Sequence, residues 1–233
     1  MISPLAQWLI TNFVAELGEL IDLPEPIVEF GSLQVEPEQM GDLRPVFRGK
    51  TFIGTDMRPG PGVDRIEDLR SLRFADGEVG TALCLDTLEH CEDPLAACRE
   101  LHRVVRAGGI CAVASVMWFP IHSYPHDYWR FTPEGMRLLL APFDHVWVAG
   151  IGHPQLPTQV VAVAGKGWDP GLTDGSFGSL RKIQENWRRA PGRVRFGPVH
   201  VSPGDFARAA ARDFPRAAAQ RALARLRDLG RSP

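Results

Sequence analysis

No apolar run in this 233-residue chain approaches the roughly 18–20 residues that a membrane-spanning helix requires, which excludes a helical membrane protein. The opening stretch, "MISPLAQWLITNF", lacks a positive segment and a small-residue cleavage site, so no secretory signal is expected. The four cysteines, Cys84, Cys91, Cys98 and Cys111, include no CxxC pair. They read as reduced thiols of a cytoplasmic protein. Cys91, Cys98 and His102 share a helical segment at a spacing that suits buried cysteine better than metal ligation, and no metal site is expected. No internal repeat is visible. What remains is ordinary globular material: 44% hydrophobic and 23% charged residues, in a length that suits one α/β domain with appendages.

Charge is unevenly placed. Residues 168–233 hold 13 Lys and Arg against 6 Asp and Glu, a net of +7, while residues 1–167 hold 13 against 22, a net of −9. A basic, Arg-rich tail on an acidic body fits a tail that docks on its own body, a partner chain or nucleic acid. The apolar stripe of helical period in the tail favours self-docking or an oligomer contact, a homo-oligomer through this extension being one of the two.

The hydrophobic pattern resolves into alternating elements. Leu5, Leu9, Phe13, Leu17 and Leu20 recur at helical steps within residues 3–20, with Ser3 as N-cap and Pro4 at the first helical position. Strands are expected at "PIVEF", "KTFIGTD" (50–56), within 63–69, at "EVGTALCLD" (78–86) and at "GICAVASV" (109–116). Residues 37–47 form a weak helical pattern. Helices follow at 93–105, capped by Asp93 and closed by the "RAGG" glycines, and from "TPEGMRLLLAPF", capped by Thr132. A closing hairpin is read at 144–152 and 158–167, then a Gly/Asp/Pro linker at 167–178 and helices at 176–189 and 203–229. The expected architecture is a Rossmann-like, doubly wound, seven-stranded, mostly parallel sheet with an antiparallel last strand, in a domain spanning 1–167 (1–25 being the N-terminal helix). Residues 168–233 are the expected extension.

In such sheets ligands bind beyond the carboxyl ends of the strands. Gly31 and Ser32 follow the first strand, Asp56 the second, Asp68 the third, Asp86 the fourth, and the aromatic stretch 117–131 the fifth. Asp56 lies where an acid would accept hydrogen bonds from a ribose diol. The first loop, "EFGSLQVEP", is poor in glycine: Leu33, Val35 and Glu36 are unsuited to a pyrophosphate. A nucleoside without phosphate, such as S-adenosylmethionine, tolerates that loss.

Four stretches carry a family resemblance over residues 26 to about 142. They are "IVEFGSLQV", "FIGTDM", "DLRSLRFADGEVGTALCLDTLEHCEDP" and "ACRELHRVVRAGGICAVA". In this order they resemble the class I S-adenosylmethionine-dependent methyltransferases of the small-molecule "type 11" kind. The resemblance implies that Glu29 and Gly31, with Ser32 beside them, shape the methionine end. It further implies that Asp56 binds the ribose, Met57 packs on adenine, Asp68 and the Leu69 backbone read the adenine edge, and Asp86 borders methionine and acceptor. Leu33 and Val35 replace two glycines of the family pattern, Gly80 replaces an acid, and Arg106-Ala107 replaces Lys-Pro. Each acid also has a plainer reading: Glu29 as a loop cap, Asp56 as a turn residue, Asp68 as a helix cap and Asp86 as a turn cap.

"FPIHSYPHDYWRF" resembles a stretch that borders the acceptor pocket in relatives. His122 and His126 are candidates for taking a hydroxyl proton, and Tyr124, Tyr128, Trp129 and Arg130 for binding the acceptor. The plainer reading has the aromatics packing under the next helix and Asp127 pairing with Arg130. The expected activity is methyl transfer from S-adenosylmethionine to a small molecule, through a hydroxyl of a sugar or natural product. The alternatives are a non-catalytic binding module on the same fold and, third, an RNA methyltransferase.

Overall fold

The computed structural model describes residues 4–35, 42–122, 125–153, 155–189, 194–196 and 199–201. Its strands are β1 (Ile27–Phe30), β2 (Phe52–Asp56), β3 (Arg65–Ile66), β4 (Val79–Leu85), β5 (Val105–Val116), β6 (His145–His153) and β7 (Leu156–Gly165). They form one sheet in the order β3-β2-β1-β4-β5-β7-β6. Neighbours from β3 through β5 are parallel, and β7 alone runs antiparallel, between β5 and β6. The expected seven-stranded topology is therefore the observed one. β4 is buried along its whole length, because helices cover both faces of the sheet.

Alternation along the strands splits the core in two. Val28, Phe30, Ala82 and Cys84 face α2 (Pro94–Val104) and α3 (Pro133–Leu139). Ile27, Leu83 and Leu85 face α1 (Pro4–Leu20). Asp93 caps α2 by accepting from Ala96 N at 2.9 Å, and Thr132 caps α3 by accepting from Gly135 N at 3.0 Å. In α1 the buried stripe runs Phe13, Val14, Leu17 and on to Ile21. Leu20, expected on it, is turned out and 47% exposed.

Two further expectations are corrected. The "RAGG" glycines do not cap α2, which ends at Val105 in extended backbone. They form a bulge in β5, where pairing jumps from Val79↔Val105 to Thr81↔Ile110 and Gly108 takes φ +76°. The short third strand expected within 63–69 is Arg65–Ile66. Of the 37–47 helix, the described residues show a 3₁₀ turn at Arg44–Phe47. Gly80, where the resembled family has an acid, is crossed by the chain before β1: a Cβ there would lie 2.4 Å from the Pro24 carbonyl oxygen.

The body does not stop at residue 167. Trp168 Nε1 donates to the Gly109 carbonyl at 3.1 Å, and Phe177 lies between Phe13 and Trp147 with ring centroids 5.1 and 4.8 Å away. In α4 (Gly178–Arg189), Ser179 N donates to Glu16 Oε1 at 2.9 Å. The first compact unit is accordingly Met1–Trp187, and Arg188–Pro233 forms a second. In that second unit β8 (Val194–Phe196) pairs antiparallel with β9 (Val199–Val201). The expected helix at 203–229 lies outside the described residues. No helix among the described residues is long and apolar enough to cross a membrane. All four cysteines are free thiols.

Candidate active site

A cleft opens where the carboxyl ends of β1, β2, β4 and β5 meet the loop 117–131. Its floor begins at Gly31, whose φ of +90° suits a residue without Cβ. The amides of Gly31 and Ser32 both donate to the Thr55 carbonyl, at 2.8 and 2.9 Å. The Ser32 hydroxyl donates to Gly62 O at 2.9 Å and reaches Thr55 O at 3.2 Å. Ser32 thus ties the first loop to the second and does not line the cleft, a correction to its expected cofactor contact. Leu33 turns its Cδ1 onto Gly60, where a Cβ would stand only 2.4 Å away. With Val35 it forms an apolar wall, and the cleft beside it stays open at about 200 Å³.

Glu29 is also displaced from its expected place. Alternation along β1 puts it on the opposite face from Phe30, toward Arg44, and it does not line the cleft. Burial pushes its carboxyl up to about 7, against the opposing pull of Arg44.

Asp56 lies where the sequence placed it. Its side chain lines the cleft with 13% exposure, and Oδ1 accepts from Arg58 N at 2.9 Å. Met57 and Leu69 flank it on the same wall. Asp68 reaches the cleft too, but Arg70 occupies it: Nε and the backbone N donate to Oδ1 at 3.1 and 2.9 Å, and an Nη to Oδ2 at 2.9 Å. That guanidinium holds the Asp68 carboxyl below its ordinary range. The Asp68 carboxylate is thus already engaged by its neighbour.

At the end of β4 the chain turns sharply, and Asp86 adopts φ +46°, uncommon for a residue with a Cβ. Gln159 Nε2 donates to both its carboxylate oxygens, at 3.2 and 3.1 Å. Glu89 follows in the 3₁₀ turn Leu88–His90. It is fully buried and accepts from Ser115 Oγ at 2.6 Å through Oε2. Burial pushes both carboxyls up, and the charge of Glu89 raises Asp86 further.

The 117–131 loop is anchored to this turn. The amides of Tyr128 and Trp129 donate to the Glu89 carbonyl at 2.8 and 3.2 Å, and His90 Nδ1 bonds the His126 carbonyl. His122 faces His90 edge-on, with centroids 4.7 Å apart. Its backbone N donates to Asp127 Oδ2 at 2.8 Å, and its Nδ1 stands 3.1 Å from the same oxygen. Burial holds both imidazoles below their ordinary value. His126 and Tyr128 complete this end of the cleft. Arg130 and Trp129 do not line it. The Arg130 fork grips Asp127 and the carbonyls of Phe119 and Pro120, and Trp129 Nε1 donates to Cys91 O at 2.9 Å. Their expected contact with the acceptor is corrected: both hold the loop, because a guanidinium beside a buried carboxylate pairs with it first. Tyr124 lies outside the described residues. Sequence reasoning missed Thr87, Glu89 and His90. The signal in the sequence is the "LEH" triplet at 88–90, within the third of the four family-like stretches.

The residues present fit a sulfonium nucleoside. Asp56 can accept from a diol, Leu33, Met57 and Leu69 offer an apolar slot, and half-buried Asp86 with buried Glu89 suits a cationic end. The loop amides that a phosphate would need are taken by Thr55.

A family model described as "Methyltransferase domain" matches residues 50–113, which carry Asp56, Asp68, Asp86 and Glu89. No curated protein matches the sequence. Among solved structures, the chain resembles an S-adenosylmethionine-dependent methyltransferase from Thermotoga maritima. Identity is 17%, over 68% of this chain and 93% of that one, with a TM-score of 0.48. A second, from Mesorhizobium loti, gives 15%, 66%, 99% and 0.46 in the same order. A complex of the Trm112 methyltransferase activator with a methyltransferase of Haloferax volcanii gives 15%, 68%, 89% and 0.49. The matched segment is that of a methyltransferase domain, and the sheet order and cleft position agree with the fold expected of a class I, S-adenosylmethionine-dependent methyltransferase.

Proposed function

We propose that this enzyme methylates a hydroxyl of a small-molecule acceptor, a sugar or natural product, in the cytoplasm. The observation that carries this reading is that one cleft joins Asp56 to an imidazole- and aromatic-lined end formed by Phe119, His122, His126 and Tyr128. S-adenosylmethionine, when bound, supplies an electrophilic sulfonium methyl. Asp56 accepts from the ribose hydroxyls, Met57 and Leu33 cover the base, and Asp86 and Glu89 favour positive charge between the two ends. Phe119 and Tyr128 wall the acceptor and exclude water. His122, oriented by Asp127, positions the acceptor oxygen, and His126 takes its proton.

The test is transfer of labelled methyl from S-adenosylmethionine to a panel of sugar and phenolic hydroxyls, followed by mass spectrometry of the product. O-methylated small molecules, lost with His126→Ala, are expected. Label appearing only in RNA would replace this reading with a nucleic-acid methyltransferase. Failure of S-adenosylhomocysteine to bind at millimolar concentration would leave a binding module.

A further inference from the structure

Glu89, His90 and His122 form a cluster in which methyl transfer as described gives His90 no role and does not account for the close approach of all three. A carboxylate oxygen of Glu89 and one ring nitrogen from each histidine all lie within 4.8 Å of one another. Glu89 and His90 come from the turn after β4 and His122 from the loop after β5, so the pairing of two adjacent strands brings them together.

Each side chain is fixed from behind. Ser115 holds Glu89 Oε2, and Oε1, fully buried, has no hydrogen-bond partner among the described residues. His90 Nδ1 bonds the His126 carbonyl. His122 Nδ1 stands 3.2 Å from the Pro120 carbonyl oxygen and 3.1 Å from Asp127 Oδ2, and Arg130 grips Asp127 in turn. Imidazoles that donate one N–H to a carbonyl or carboxylate keep the lone pair on the other nitrogen, the arrangement that orients histidines as metal ligands. A buried carboxylate oxygen with no donor is costly unless a cation answers it.

We propose that Glu89, His90 and His122 bind a divalent first-row transition cation whose remaining coordination positions open on the cleft. Two imidazoles and one carboxylate suit manganese, iron, cobalt or zinc better than magnesium or calcium. Ligand atoms about 2.1 Å from a shared ion stand roughly 3–3.4 Å apart, so binding draws the cluster inward. The use of the ion, to hold the acceptor hydroxyl beside His126, rests on the methyl-transfer reading. The ion site itself does not.

The full-length protein is stripped with chelator and titrated with Mn²⁺, followed by the electron-paramagnetic signal of the free ion, and with Co²⁺, followed by visible absorption. One ion per chain is expected. His90→Ala and His122→Ala should each weaken binding at least about tenfold, and Asp127→Asn about tenfold by releasing His122. His145→Ala, on the far strand, should leave it unchanged. Thermal melting shows that each variant is folded, and calorimetry with S-adenosylhomocysteine is run on all of them. Wild-type protein that binds the nucleoside but neither ion overturns the metal site and leaves methyl transfer standing. So does ion binding unaffected by both histidine variants. Ion binding without nucleoside binding keeps the site and removes the methyl-transfer reading.

Discussion

Thr87 occupies the space that a Cβ on Gly31 would need: that atom would fall 2.1 Å from Thr87 Oγ1. The hydroxyl is fixed there by the carbonyls of Phe30 and Leu85, at 3.1 and 3.0 Å. One glycine of the first loop is therefore obligatory, although the glycines usual further along are replaced by Leu33 and Val35. Gly31→Ala should lower stability by about 1–3 kcal/mol from backbone strain alone, with the clash in addition. The measurement is a denaturant melt. An unchanged midpoint contradicts the close approach.

Asp56 should govern cofactor affinity. On the proposed reading, removing this carboxylate leaves the ribose hydroxyls without their acceptor. Asp56→Ala should weaken S-adenosylhomocysteine binding by about tenfold or more in calorimetry, with little change in melting temperature. Equal affinity in the variant would mean that the sugar lies elsewhere.

Arg130 should act on rate through the loop it holds. Its fork bridges Asp127 and two carbonyls, and lysine cannot reproduce that geometry. Arg130→Lys should expose residues 117–131 to limited proteolysis and slow turnover by about tenfold or more, because His122 and His126 lose their positions. Affinity for S-adenosylhomocysteine should stay at the parental value. A fall in affinity confined to acidic acceptors would instead restore Arg130 to the substrate site.

Glu29 should make stability fall with rising pH. Its folded pKa, about 7, lies above the ordinary 4.5, so the folded state keeps a proton that the unfolded chain has released. The contribution is complete below 4.5 and is lost as pH climbs through about 7, at most about 3 kcal/mol for a side chain that keeps some solvent contact. Denaturation of the parent and of Glu29→Gln at about pH 5 and about pH 8 checks this: the variant should gain on the parent at the higher pH. A constant difference between them would place the charge of Glu29 in water.

Much of the fold was legible because its signals are local. Asp93-Pro94 and Thr132-Pro133 start α2 and α3 as their capping chemistry dictates, and the apolar runs at β4 and β5 mark strands covered on both faces. The glycines after α2 misled because a left-handed glycine serves a helix cap and a strand bulge equally well. The register between β4 and β5 decides which. In the site, Asp56 was legible because it stands at a strand tip. Ser32 and Trp129 were not, since each has a partner far along the chain, and Glu29 was not because alternation along β1 turns it to the other face; Arg130 followed its plainer reading, the pair with Asp127.

The order of strands and helices, and the acid at the tip of β2, follow from the sequence by itself: periodicity, caps and strand ends are properties of neighbouring residues. Only the tertiary structure decided which polar side chains reach the cleft. It turned Glu29 away, gave the Trp129 indole N–H to the Cys91 carbonyl, and set His122 beside Glu89 and His90. Such pairings depend on which distant backbone groups and charges arrive at the same place, and no short stretch of sequence carries that information.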